Sequence, residues 1–206
     1  MKKLVLLFVG LCPLFFQPVA QAQQTPASDA KELSGIEVGA MAPLLDLKNE
    51  NNTRVSLADA LKSGPVILVF YRGEWCPVCN RFLSALEDSV AKLEKEGARV
   101  FAVSAEKPEY LQKMKAKTGA SFTFLSDSAY AMMSAFGLVY ELDNGTRLKY
   151  KTVLGANIPE ATGDDRVLLP VPATYIIGSD GKVLWKHFDP DYRKRATVSE
   201  MLEVLK

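Results

Sequence analysis

At 206 residues, with 48% hydrophobic and 24% charged residues and a formal net charge of +1, the chain has the balance of an ordinary globule. Its length suggests one domain with a real core. The near-neutral balance and the lack of a basic stripe argue against nucleic acid as a partner, and no internal repeat suggests an array.

Residues 1–22 read as a signal peptide. Lys2 and Lys3 form a basic start, residues 4–16 are apolar, and Ala20-Gln21-Ala22 is a small-residue cleavage site. The expected compartment is therefore the periplasm or the outside of the cell. No later stretch is long and apolar enough for a membrane span in the mature chain. Cys12 would leave with the leader, so Cys76 and Cys79 are the cysteines of the exported protein. Residues 23–35 are polar and small, contain Pro26, and read as a disordered leader ahead of a domain over 36–206.

That domain opens with apolar residues near 41–47, a turn cluster at Asn49-Glu50-Asn51-Asn52, and a return at Arg54-Val55-Ser56-Leu57. The pattern is a small hairpin, and Ser56 can cap a short helix running to Lys62 before Gly64-Pro65 breaks it. Val66-Ile67-Leu68-Val69-Phe70-Tyr71 is an unbroken, partly β-branched run, the mark of a strand buried on both faces. The turn Arg72-Gly73-Glu74, then Trp75 and Cys76-Pro77-Val78-Cys79, lead into a helix. Its apolar face is Phe82, Leu83, Leu86, Val90 and Leu93. Pro77 suits the first helical position, where no N–H is needed.

Cys76 is thus expected at the helix N-terminus, with Cys79 one turn inside. The positive end of the helix favours a thiolate, and cysteines so placed fall below the ordinary thiol pKa of about 8.5. Two cysteines on one turn can also close a disulfide. They make a poor structural staple, because the loop is tiny, and a zinc site would lack ligands, since the chain has only one histidine, His187.

Gly97 should end the helix, followed by a strand over 100–103 and hence a parallel βαβ unit. A helix over 108–117 stopped by Gly119, a strand over 122–125 and a short helix over 129–136 come next. Residues 138–170 read as an irregular insertion, with Asn144-Gly145 a possible hairpin turn. A terminal hairpin follows, residues 174–177 and 183–188 around Gly178-Ser179-Asp180-Gly181. The last helix carries the capping box Thr197 with Glu200.

With the motifs VFYRGEWCPVC, VFAVSAE, FLSD followed by FG, and LPVPATYIIGSDGKV in place, the chain resembles the alkyl hydroperoxide reductase and thiol-specific antioxidant (AhpC/TSA) superfamily, in a peroxiredoxin-like branch with a CxxC motif. The resemblance spans most of residues 36–205. It implies an α/β, thioredoxin-like fold, a central mixed β-sheet with helices on both faces. It also implies that Pro172 is cis, facing the cysteines and leaving the backbone at Val171 free for an incoming peptide.

The chain departs from the pattern of true peroxiredoxins, Pro-x-x-x-Thr-x-x-Cys. Aligned on Cys79, the proline place holds Arg72, the threonine place holds Cys76, and a distant arginine is replaced by Pro172. The thioredoxin counterpart of a buried aspartate is Phe70, which leaves Glu74 as the nearest carboxylate for proton transfer. Trp75 is expected beside the thiols, against a substrate or half-buried in the core. Arg72 either holds an anion or is a solvated turn charge. His187, near Asp189 and Asp191, reads as structural. The segment Phe188-Asp189-Pro190-Asp191-Tyr192 resembles a family feature without an evident mechanism.

These residues define an exported thiol oxidoreductase that cycles a Cys76–Cys79 disulfide with no cofactor and no metal. Its partner is a thiol- or disulfide-bearing protein or a small thiol. In the first reading Cys76 attacks disulfides, Cys79 resolves, and Trp75, Val171 and Pro172 form the groove. In a second, Cys79 reduces peroxides. A third is a non-catalytic adaptor or redox sensor.

Overall fold

A computed structural model of the chain describes residues 26–206. The expected signal peptide and the start of the leader lie outside the described residues. Residues 26–35 depart from the disordered tether expected of them. They carry a 3-10 turn, Ala30–Glu32, capped by Asp29, and Ala27 bridges to Tyr140. Their backbone finds partners on the insertion, which a composition-based reading does not weigh.

Nine strands and seven α-helices follow in the described residues. The hairpin β1 (Asp46–Asn49) and β2 (Arg54–Ser56) leads to α1 (Leu57–Leu61), capped as expected by Ser56. The strand β3 (Val66–Phe70), the helix α2 (Pro77–Lys95) and the strand β4 (Arg99–Ser104) form the expected unit, with β3 and β4 parallel. Then come α3 (Pro108–Thr118), β5 (Thr123–Ser126) and α4 (Ala131–Ala135). The insertion holds β6 (Val139–Glu141), α5 (Asn144–Leu154), α6 (Ile158–Thr162) and β7 (Leu168–Pro170). The chain closes with β8 (Ala173–Ile177), β9 (Val183–Phe188) and α7 (Val198–Leu205), which has its Thr197/Glu200 capping box.

The main sheet runs β2-β1-β5-β4-β3-β8-β9 and is mixed, with β4–β5 also parallel and β3–β8 antiparallel. Alternation along the central strands splits the core in two. Val66, Leu68 and Phe70 face α1 and α4, packing with Leu57, Leu61, Met132 and Met133. Ile67, Val69 and Tyr71 face Leu83, Leu86, Val90 and Leu93 of α2, with Met114 of α3 and Met201 of α7. Each such side chain contributes about 1.5–3 kcal/mol of burial, enough to hold both faces of β3 covered.

The insertion is ordered rather than irregular. Asn144-Gly145 is the first turn of α5, not a hairpin turn, because Asp143 accepts a hydrogen bond from the Thr146 N–H and caps the helix. The actual ladder here, β6 with β7, joins residues on either side of α5 and α6. A small third cluster, Leu142, Ala156, Ile158, Val167 and Leu169, anchors it.

The cis proline is not present: every peptide bond in the described residues is trans. The Val171 N–H donates to the Leu138 carbonyl (2.8 Å), so it is already spent on the insertion rather than free for a docking peptide. Trans is also the cheaper state for a prolyl bond, by about 0.5–1 kcal/mol.

Candidate active site

Cys76 is the N-cap of α2, Pro77 is its first helical residue, and the Cys79 N–H donates to Cys76 Sγ (3.3 Å). One helical turn therefore supplies a backbone donor to the first sulfur. Both cysteines are reduced and fully buried. A hydrogen bond from the Cys79 thiol, and then the charge of Arg72, hold the Cys76 thiol well below the usual range, against the cost of burial. Cys79 moves the other way. Burial raises it first, and the hydrogen bond and charge of Cys76 raise it further. The two sulfurs are thus pushed apart, Cys76 toward the thiolate and Cys79 toward the thiol.

Arg72 is buried, not a solvated turn charge. Its Nη2 donates to Cys76 Sγ (3.2 Å) and its Nη1 to the Tyr150 hydroxyl (2.9 Å). Its guanidinium lies 3.7 Å from the Tyr192 ring centroid, with Trp75 at 5.1 Å and Tyr150 at 5.2 Å. Burial weakens its positive charge, but the two sulfurs more than offset that, and its pKa is raised. Tyr192 belongs to the Phe188–Tyr192 segment, which now has a physical role as the platform under Arg72.

Arg195 faces the second sulfur as Arg72 faces the first, but there burial outweighs its charge. Its Nη2 lies 3.5 Å from Cys79 Sγ, and its guanidinium sits over Phe82 at 5.6 Å. Pro172 stands where the family pattern has its distant arginine, and the β9–α7 connection supplies Cys79 with one from 116 positions away. Arg72 Nε and Arg195 Nε are both buried with no protein partner.

Beneath the turn lies a second acid. Glu106, at the end of the VFAVSAE stretch, is buried and accepts two hydrogen bonds from the Glu74 N–H, at 2.8 and 3.0 Å. Burial above all pushes its carboxyl up to about 8. Gly73 makes this close approach possible. At its φ of +156°, a Cβ would come within 2.7 Å of Glu106 Oε1 and would collide with the Trp75 ring. Glu74 itself forms an ion pair with Lys117 of α3, so the buried carboxyl of the site is Glu106, not Glu74.

Trp75 is half-buried, packed between the α2 core and the insertion, with Tyr150 at 5.2 Å between ring centroids. Val171 and Pro172 are buried, and the Val171 N–H is paired with the Leu138 carbonyl. His187 lies on the edge strand β9, its ring 6.3 Å from that of Trp185. Tyr150 and Arg195 left no local signal in the sequence. Glu106 was visible only as the last residue of a family-like stretch.

A mixed sheet covered on both faces by helices, with a strand–turn–helix that presents a dithiol at the helix N-terminus, defines a thioredoxin-like protein. The AhpC/TSA family profile matches residues 38–186, and the chain belongs to that family. It is 29% identical over 106 residues to peroxiredoxin Bcp of Escherichia coli K12, covering 52% of this chain and 67% of that one. It is 32% identical over 118 residues to a putative peroxiredoxin bcp of Coxiella burnetii, covering 57% and 77%. Among solved structures, peroxidoxin BcpB of Mycobacterium tuberculosis superposes with a TM-score of 0.64 at 21% identity, over 82% of this chain and 96% of that one. A peroxiredoxin-like protein from Aquifex aeolicus gives 0.64 at 18% identity, over 84% and 87%.

Proposed function

We propose that the protein is a thiol-dependent peroxidase working through a Cys76–Cys79 pair. The observation that carries this reading is that each buried sulfur faces its own guanidinium, and each guanidinium keeps an unpartnered Nε–H. Such donors suit the oxygen that gathers charge as a peroxide bond breaks. Full burial of both sulfurs favours a small peroxide over a protein disulfide, as does the absence of a free Val171 N–H. The peroxiredoxin relatives support the same choice, so disulfide exchange gives way as the principal activity.

Chemically, the Cys76 thiolate attacks one peroxide oxygen. The S–O bond forms as the O–O bond breaks, and the other oxygen leaves as an alkoxide or hydroxide and takes up a proton. Cys76 becomes a sulfenic acid. The Cys79 thiol then attacks that sulfur, water departs, and the Cys76–Cys79 disulfide closes. Two electrons from a dithiol protein or a small thiol reopen it. Residues 1–22 support an exported setting for this cycle.

A second assignment of the roles has its own support: register with the family pattern puts the peroxide-reactive sulfur at Cys79, beside Arg195. The two single serine variants separate the assignments. With hydrogen peroxide and a sulfenic-acid probe, Cys79→Ser is expected to label at Cys76 and Cys76→Ser not at all. Label on Cys76→Ser alone reverses the roles. Label on neither variant removes the peroxidase reading.

A further inference from the structure

We propose that Tyr150, on the insertion helix α5, is a positioning residue that aims Arg72 at Cys76. The guanidinium is a rigid planar fork, so fixing one of its nitrogens orients the others. Here Nη1 is held by the Tyr150 hydroxyl at 2.9 Å while Nη2 faces Cys76 Sγ at 3.2 Å. The guanidinium carbon lies 3.7 Å from the Tyr192 ring centroid, and that ring backs the fork on one side without fixing its rotation. The Tyr150 hydroxyl fixes it.

The contact is long-range, joining residues 78 positions apart, and Tyr150 is tied in again by its ring against Trp75 at 5.2 Å. Yet α5 buries none of its residues fully. An otherwise peripheral helix therefore reaches the site through this side chain, and its hydroxyl is directed at the cation that touches the attacking sulfur. The groups facing Arg72 are Cys76 and Tyr150 by hydrogen bond and Trp75 and Tyr192 by their rings, with the Cys79 thiol and the Tyr140 hydroxyl in electrostatic reach.

Tyr150→Phe keeps the ring and its contacts and removes only the hydroxyl. Titration of the Cys76 thiolate by its ultraviolet absorbance, with the rate of iodoacetamide alkylation as a second readout, is expected to show the midpoint raised by about half a unit to one unit. Reaction with peroxide should slow about three- to tenfold. In an Arg72→Lys background, where no planar fork remains to be aimed, Tyr150→Phe should change nothing further.

A purely packing role predicts that Tyr150→Phe titrates like the unmodified protein and only Tyr150→Ala differs, and that result overturns the proposal. So does an equal shift in the Arg72→Lys background. The kinetic arm rests on the peroxidase reading. The thiol titration does not, so a protein that fails to react with peroxide still tests the role of Tyr150.

Discussion

The segment from β3 through α2 and the insertion carrying α5 face each other across Arg72, and they are built in opposite ways. Every residue of β3 is buried, and α2 sinks Cys79, Leu83, Leu86, Val90 and Leu93 into the core. By contrast α5 buries no residue fully and exposes Leu148 and Val153. One region owes its structure to apolar burial. The other is held by a cap, a small cluster and a few polar and aromatic contacts to the site. The sulfurs are thus placed by the rigid region, while the surroundings that tune them come partly from the loosely held one.

The largest test of that contrast is a pair of matched truncations. Leu83→Ala, which opens a cavity under α2, is expected to cost about 2–5 kcal/mol in urea unfolding. Leu148→Ala, on exposed α5, should stay within about 0.5 kcal/mol. Comparable losses at both positions would erase the distinction.

A second test concerns the acid beneath the active-site turn. Glu106 has a folded-state value raised to about 8 from an ordinary 4.5. The folded protein therefore binds this proton more tightly than the unfolded chain does. The stability it contributes is fully present below about pH 4.5 and is lost as pH rises through about 8. Glu106→Gln keeps the shape and cannot ionise. It should flatten the fall in stability across that window, by an amount on the order of a few kcal/mol at its upper end. Unfolding midpoints measured from pH 5 to 9 check this, and identical slopes in both proteins would show that the turn tolerates the charge.

The smallest effect sharpens the comparison from the side of the insertion. Asp143→Ala removes the cap of α5, a loss of about 0.5–2 kcal/mol for that helix. Hydrogen exchange should speed up in residues 144–154 and leave the amides of α2 unchanged, because α5 shares little of the core that protects them. Faster exchange in both helices would mean that the insertion and the scaffold open together.

Much of the scaffold was legible in the chain because its causes are local. The buried run of β3, the spacing along α2, Pro77 after Cys76, Ser56 before α1 and the Thr197/Glu200 box each act within one or two turns of backbone. The insertion was read less well. Asn144-Gly145 suits a hairpin as readily as a helix start, and only Asp143 capping the Thr146 N–H, with β6 pairing to β7 across the intervening helices, separates the two. Pro172 shows the same limit from another side, since a prolyl bond can take either state and the contact of Val171 with Leu138 goes with the trans form.

By itself the sequence determined the fold class, the dithiol at a helix N-terminus and the family. The α/β alternation and the dithiol follow from periodicity and capping, and the thioredoxin-like fold and the family from the likeness of the motifs to those of known members; all are short-range properties of a chain. Only the tertiary structure decided which charges meet which sulfur. Arg195 reaches Cys79 and Tyr150 reaches Arg72 across long separations in sequence, and Glu106 becomes a buried acid because strand, turn and helix close around it. The physical reason is that Coulomb forces and desolvation depend on distance and burial in space, and neither quantity is written along the chain.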